Sequence, residues 1–137
     1  MADSTDQYYV AVEVTKDHHM TLAFLGQCDH DRMEAVIEAI RRLPFPSNFH
    51  FGEVMLFGEN KDIEVLEVKG EDLSVTKHLT EFHKKFVQPG HISENQFRMH
   101  VTTKGCVKQL KALESFTCKS VYIKRLGAEK AAHTFEF

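Results

Sequence analysis

The chain has 137 residues, 27% of them charged and 42% hydrophobic, with a net charge of -3 at pH 7. This suits one domain with its own core and excludes a disordered tail. The acidic balance also excludes the broad basic field behind non-specific binding to duplex DNA, and no apolar run approaches the roughly 20 residues of a membrane span, so neither is an expected partner. No secretory signal pattern opens the sequence. Cys28, Cys106 and Cys118 are odd in number, have no metal-ligand spacing and sit among apolar or strand-like neighbours. They are expected to be reduced, mostly buried thiols in a cytoplasmic or nuclear protein.

Residues 1–7 are polar and expected to be flexible. From Tyr8 to Val14 the pattern alternates, with Val10, Val12 and Val14 on one face, which predicts a strand. Thr15-Lys16-Asp17 forms a turn, and a second strand runs from His18 to Leu25, ended by Gly26. From Asp31 the period becomes helical through Met33, Val36, Ile37, Ile40 and Leu43; Asp31 with Glu34 offers a capping box, and Pro44 stops the run. Phe49 to Phe57 and Ile63 to Val68 read as a hairpin joined by a Gly-Glu-Asn-Lys-Asp turn. A second helix is predicted from Asp72 to Val87, with Val75, Leu79, Phe82 and Phe86 on one stripe and Pro89-Gly90 beyond it. After a polar loop come a strand holding His100, a short helix from Lys108 to Glu114, and final strands from Ser120 to Arg125 and His133 to Phe137. Helices that separate strands or hairpins predict an α+β domain spanning 1–137.

The chemistry-bearing pattern is His-x-Ser/Thr. With 9 histidines and 15 serines and threonines, about one match is expected by chance, yet four occur, beginning at His19, His78, His91 and His100. In a strand, residues two apart share a face, so His19 with Thr21 and His100 with Thr102 point outward while Met20, Leu22 and Phe24, and Met99 and Val101, face the core. His78 and Thr80 fall in the second helix, about 200° apart around its axis, and cannot grip one ligand together. His91 and Ser93 follow Pro89-Gly90 in a loop, where Ser93 is expected to serve a turn. An imidazole and a hydroxyl side by side are the groups a phosphate needs, and the two strand matches read as one active site.

The run from His19 to Gly26, His-Met-Thr-Leu-Ala-Phe-Leu-Gly, after an opening strand and with a second His-x-Thr strand near two-thirds of the chain, resembles the two-histidine (2H) phosphoesterase superfamily. The resemblance covers nearly the whole chain in element order. It implies a bilobal α+β fold whose two small antiparallel sheets form a central groove with helices packed outside, one motif strand from each lobe at its floor. It further implies that His19, Thr21, His100 and Thr102 act together on 2′,5′ phosphodiester bonds or cyclic phosphates. Two features depart from the commonest pattern: Met99 stands where many members have proline, and Thr102-Thr103-Lys104 where Thr-Leu is frequent. The His-x-Thr-Thr-Lys run is similar to a motif of the myelin cyclic-nucleotide phosphodiesterase, and the compactness of the chain to viral 2′,5′-phosphodiesterase domains.

Breaking a phosphodiester needs one proton taken from the nucleophile and another delivered to the leaving oxygen, and a neutral and a protonated imidazole do both near pH 7. His19 and His100 are the expected catalytic pair; Thr21 and Thr102 are the expected phosphate donors. Such a scheme needs neither metal nor cofactor. The expected partner is a small nucleotide or oligoribonucleotide substrate, and the expected state a monomer. Arg98 and Lys104 share the face of His100 in the alternation and are candidates for substrate phosphates or solvated charge; Lys16, Arg125 and Lys130 are weaker candidates. His18 faces away from His19, so the two cannot hold one ion. The rival readings are a non-catalytic RNA- or nucleotide-binding module on a similar fold, which the acidic balance disfavours, and a purely structural protein, which has no reason to present His and Thr on two strands.

Overall fold

The computed structural model describes residues 6–95 and 97–137. Its elements in chain order are β1 (Tyr8–Thr15), β2 (His18–Gly26), α1 (His30–Arg41), β3 (Ser47–Phe57), β4 (Ile63–Gly70), α2 (Leu73–Phe86), β5 (His100–Thr102), α3 (Val107–Ala112), β6 (Ser115–Cys118), β7 (Ser120–Arg125) and β8 (His133–Glu136). The class is α+β, as expected. All eight strands join in one antiparallel sheet of order β6-β3-β4-β5-β2-β1-β7-β8. The two expected sheets are thus halves of a single one. They meet at a seam between β5 and β2 where one residue pair, Met20 and Val101, is in register.

One face of this sheet carries the core. Val36, Ile37 and Ile40 of α1 and Val75, Leu79, Phe82 and Phe86 of α2 pack against Val10, Val12, Met20, Leu22, Leu66, Val101, Val121 and Ile123. These are the apolar stripes and alternations of the sequence; their burial, at about 25 cal/mol per Å², is the main force holding helices to sheet. The opposite face is left for the site. Among the described residues no helix is long and apolar enough to cross a membrane.

Several local expectations change. The first-helix cap is Asp29, whose Oδ1 accepts from Arg32 N at 2.8 Å, two residues before the expected Asp31 box. β6 was not expected: four residues hold too little alternation, and its partners, Ser47 to His50, lie far back in the chain. Residues 1–5 lie outside the described residues; Asp6 bonds Arg125 at 3.4 Å, and the Gln7 carbonyl accepts from Leu126 N at 2.8 Å, so this pair is held against the end of β7. Only Cys118 of the three free thiols is buried; Cys28 and Cys106 are half-buried.

The pairing of β1 and β2 is broken by bulges. Val10 opposes Ala23 while Ala11 opposes Thr21, which leaves Leu22 without a partner; a second slip separates the Tyr9–Phe24 and Tyr8–Gly26 pairs. A bulge shifts the inward and outward parity of the strand beyond it. Phe24, expected in the core from strict alternation, therefore lies half-buried on the open face.

Candidate active site

The seam register assembles the site. With Met20 opposite Val101 in an antiparallel pair, one step either way sets His19 opposite Thr102 and Thr21 opposite His100, on the face away from Met20 and Val101. Opposed residues bring their Cβ atoms to about 4.5–5.5 Å. Each histidine thus neighbours the threonine of the other motif. All four side chains line one groove of about 770 Å³ on the open face of the sheet.

The two imidazoles differ in what holds them. His100 Nδ1 lies 2.6 Å from the Arg98 carbonyl oxygen. A carbonyl only accepts, so Nδ1 carries the proton, and in the neutral ring Nε2 keeps its lone pair. The Phe57 ring stands edge-on to His100 at 4.7 Å. Burial lowers the His100 pKa below the ordinary 6.5, opposed by the bond to the Arg98 carbonyl, which favours the charged ring. His19 leans against Tyr9, ring centres 5.6 Å apart. Its pKa is lowered by burial first and then by the positive charge of Lys104, Lys124, His18 and His100.

His18 faces the other way and is buried. Its Nε2 donates to the Thr103 carbonyl at 3.1 Å, so Nδ1 accepts from Thr15 Oγ1 at 2.7 Å, and Thr15 Oγ1 in turn accepts from Asp17 N at 3.1 Å. The chain just after β5 is thereby tied to the start of β2. Thr103, also buried, donates from Oγ1 to Glu64 Oε1 at 2.6 Å.

Of the basic candidates, Arg98 lines the groove. Lys104 does not: after Thr102 the strand ends, Lys104 takes a left-handed φ of 49°, and its Nζ donates to the Asp17 carbonyl at 3.1 Å. Strand parity does not extend past the strand, so Lys104 acts on the site only through its charge near His19. Arg125 pairs with Asp6, and Lys16 and Lys130 lie on exposed surface away from the groove. The helical match behaves as geometry requires, with exposed His78 bonded through Nδ1 to the Ser74 carbonyl at 2.7 Å.

What sequence reasoning missed is the wall of the groove. Leu56, Ile63, Ile92 and Leu126, each about half or more exposed, line it with Phe24, Phe57 and Phe97. Their alternation suggested core or gave no signal, and their grouping depends on three separate loops. His91 and Ser93 lie in the same wall. Among the described residues no three His, Cys, Asp or Glu side chains converge in a way that could hold a metal ion.

Residues 5–66, which carry β1, β2 with His19 and Thr21, α1, β3 and the start of β4, match the model of the LigT-like phosphoesterase family. No protein of curated function matches the sequence. Among solved structures, the chain resembles apo LigT of E. coli with a TM-score of 0.69 at 10% identity, covering 98% of each chain. The crystal structure of a phosphoesterase gives 0.66 at 9% identity over 96% of this chain and 98% of that one. LigT of E. coli complexed with NADP+ gives 0.65 at 10% identity over 98% of this chain and 99% of that one. These likenesses show a shared fold, and the family match falls on the half that carries the first motif. The first motif, His19 and Thr21 on β2, thus lies in a segment that matches the LigT-like phosphoesterase family, on a fold shared with LigT of E. coli.

Proposed function

We propose that the protein is a metal-independent phosphodiesterase of RNA-derived nucleotides, cleaving 2′,5′-linked oligonucleotides such as 2′,5′-oligoadenylate or opening nucleoside 2′,3′-cyclic phosphates, with His19 and His100 as the proton-transfer pair. The observation that carries this is the interlocked register, which places two imidazoles and two hydroxyls on one patch of the groove floor. LigT of E. coli has been crystallised with 3′-AMP in the same fold, at a TM-score of 0.63 and 10% identity. The apolar wall supports a substrate with a flat base beside its phosphate, and the scarcity of groove cations supports a short one. Three free thiols support a reducing, cytoplasmic or nuclear setting.

In cleavage of a 2′,5′ bond, one imidazole takes the proton of the adjacent 3′-hydroxyl as that oxygen bonds to phosphorus; the other protonates the departing 5′-oxygen, leaving a 2′,3′-cyclic phosphate. In cyclic-phosphate opening, water replaces the hydroxyl and a ribose oxygen leaves. Thr21 and Thr102 donate to the non-bridging oxygens, where charge develops. The electrostatics favour different roles in 2′,5′ cleavage. The carbonyl behind His100 supports a charged ring, making His100 the acid, whereas the lysines around His19 oppose one, making His19 the base.

The test is turnover: purified protein incubated with 2′,5′-oligoadenylate and with a nucleoside 2′,3′-cyclic phosphate, products resolved by chromatography. Product from at least one, unaffected by EDTA, is the expected result. Binding of both without product refutes the catalytic reading.

A further inference from the structure

Pro89 ends the run of α2, and the chain returns toward β5 through a loop that contributes His91 and Ser93 to the groove wall. His91 Nδ1 lies 3.1 Å from Ser93 N and 2.7 Å from Ser93 Oγ, and Ser93 Oγ lies 3.1 Å from His83 Nε2. A backbone N–H only donates, so His91 Nδ1 must carry a lone pair, and the proton of the neutral ring sits on Nε2. Ser93 Oγ–H then also donates to Nδ1, which leaves its oxygen to accept from His83 Nε2–H. The relay has one direction, from His83 through Ser93 to His91. Ring stacking fixes both ends, His83 on Phe97 and His91 on Phe24, each at 4.6 Å.

Protonating His91 would place a hydrogen on Nδ1 against two donors, so this arrangement holds the ring neutral. Burial independently lowers the pKa of both histidines. His91 is half-buried and lines the groove, and among the described residues its Nε2 has no protein partner. A fixed donor is therefore presented beside Phe24. Phe24 lies three residues beyond Thr21 along β2, about 10 Å from the phosphate site and within the reach of one nucleoside.

Resting on the phosphodiesterase reading above, we infer that His91 is a specificity-determining residue whose Nε2–H donates to an acceptor on the nucleobase next to the scissile phosphate, with Ser93 and His83 as positioning residues that set its tautomer. The test compares a nucleoside 2′,3′-cyclic phosphate with ribose 2′,3′-cyclic phosphate, which lacks the base, and reads the ratio of their kcat/KM values. His91→Asn keeps an acceptor for Ser93 but removes the ε nitrogen, and is expected to lower that ratio about 3- to 10-fold, the worth of one net hydrogen bond. His91→Gln, whose amide reaches the ε position, is expected to restore part of it, and Ser93→Ala to lower it less than His91→Asn. An unchanged ratio in His91→Asn, or equal losses on both substrates, overturns the inference. If the wild type turns over neither compound, cyclic-phosphate opening fails, and if it leaves 2′,5′-oligoadenylate intact as well, the phosphodiesterase reading fails. Affinity for 3′-AMP against ribose 3-phosphate, measured by calorimetry in wild type and His91→Asn, then decides the base contact by the same ratio.

Discussion

His18 gives the sharpest separation between fold and chemistry, because it sits one residue from His19 and faces the opposite way. His18→Ala removes the bond to Thr15 Oγ1 and the bond to the Thr103 carbonyl, which keeps its bond from Cys106 N at 2.8 Å, and vacates the volume of a buried ring. Two net hydrogen bonds at about 1 kcal/mol each, plus part of the cavity penalty, give about 2–4 kcal/mol. For a domain of this size that is on the order of 10 °C in Tm. His18→Gln, which keeps a donor toward Thr103, is expected to lose less than half as much. The assay pairs thermal unfolding with turnover below the melting transition. Because His18 acts on the site by tying β2 to the chain after β5 and by its proximity to His19, not by facing the groove, activity in the folded variant is expected to fall about tenfold or less. A variant with unchanged Tm and a loss as large as that of His19→Ala would refute the strand parity on which the site is built.

The remaining expectations are simpler. Both site imidazoles have pKa values below 6.5, so kcat/KM should follow a bell with its maximum on the acid side of pH 6.5; an optimum above pH 8 would contradict the site electrostatics. His19, His83, His91 and His100 all bind protons less readily folded than unfolded, so stability should fall as pH drops through 6.5 and gain nothing from them above it, which urea titrations at pH 5 and 7.5 will check. Burial pushes the Cys118 thiol up to about 12, so it should resist thiol reagents at pH 8 until the protein is unfolded. His78→Ala, on an exposed helix face, should leave turnover within a few-fold of wild type.

The motif strands, the two long helices and their buried stripes were legible because each signal is local: period two or 3.6, and a stopping proline. The shared face of the four candidate residues was legible because the expectation needed only strand parity at His19 and Thr21 and at His100 and Thr102, and the short strand β5 happens to span both members of its pair. Parity failed where the strand did. The bulge at Leu22 turned Phe24 outward, and the left-handed turn at Lys104 removed that residue from the groove. The pairing of His83 with Ser93 was invisible for another reason: it joins a helix face to a loop through stacking and hydrogen bonds that carry no sequence period. The seam register lay equally beyond the sequence, since it is set by tertiary packing of Met20 and Val101.

The most direct measurement is the rate of 2′,5′-oligoadenylate or nucleoside 2′,3′-cyclic phosphate turnover by His19→Ala, His100→Ala and the double variant, each shown to be folded by its thermal transition. His19→Ala and His100→Ala should each lose on the order of 10²- to 10⁴-fold, and the double variant far less than the product of the two, because the imidazoles act on one transition state. Either single variant retaining near wild-type turnover, or losses that multiply in full, would contradict a paired two-histidine mechanism.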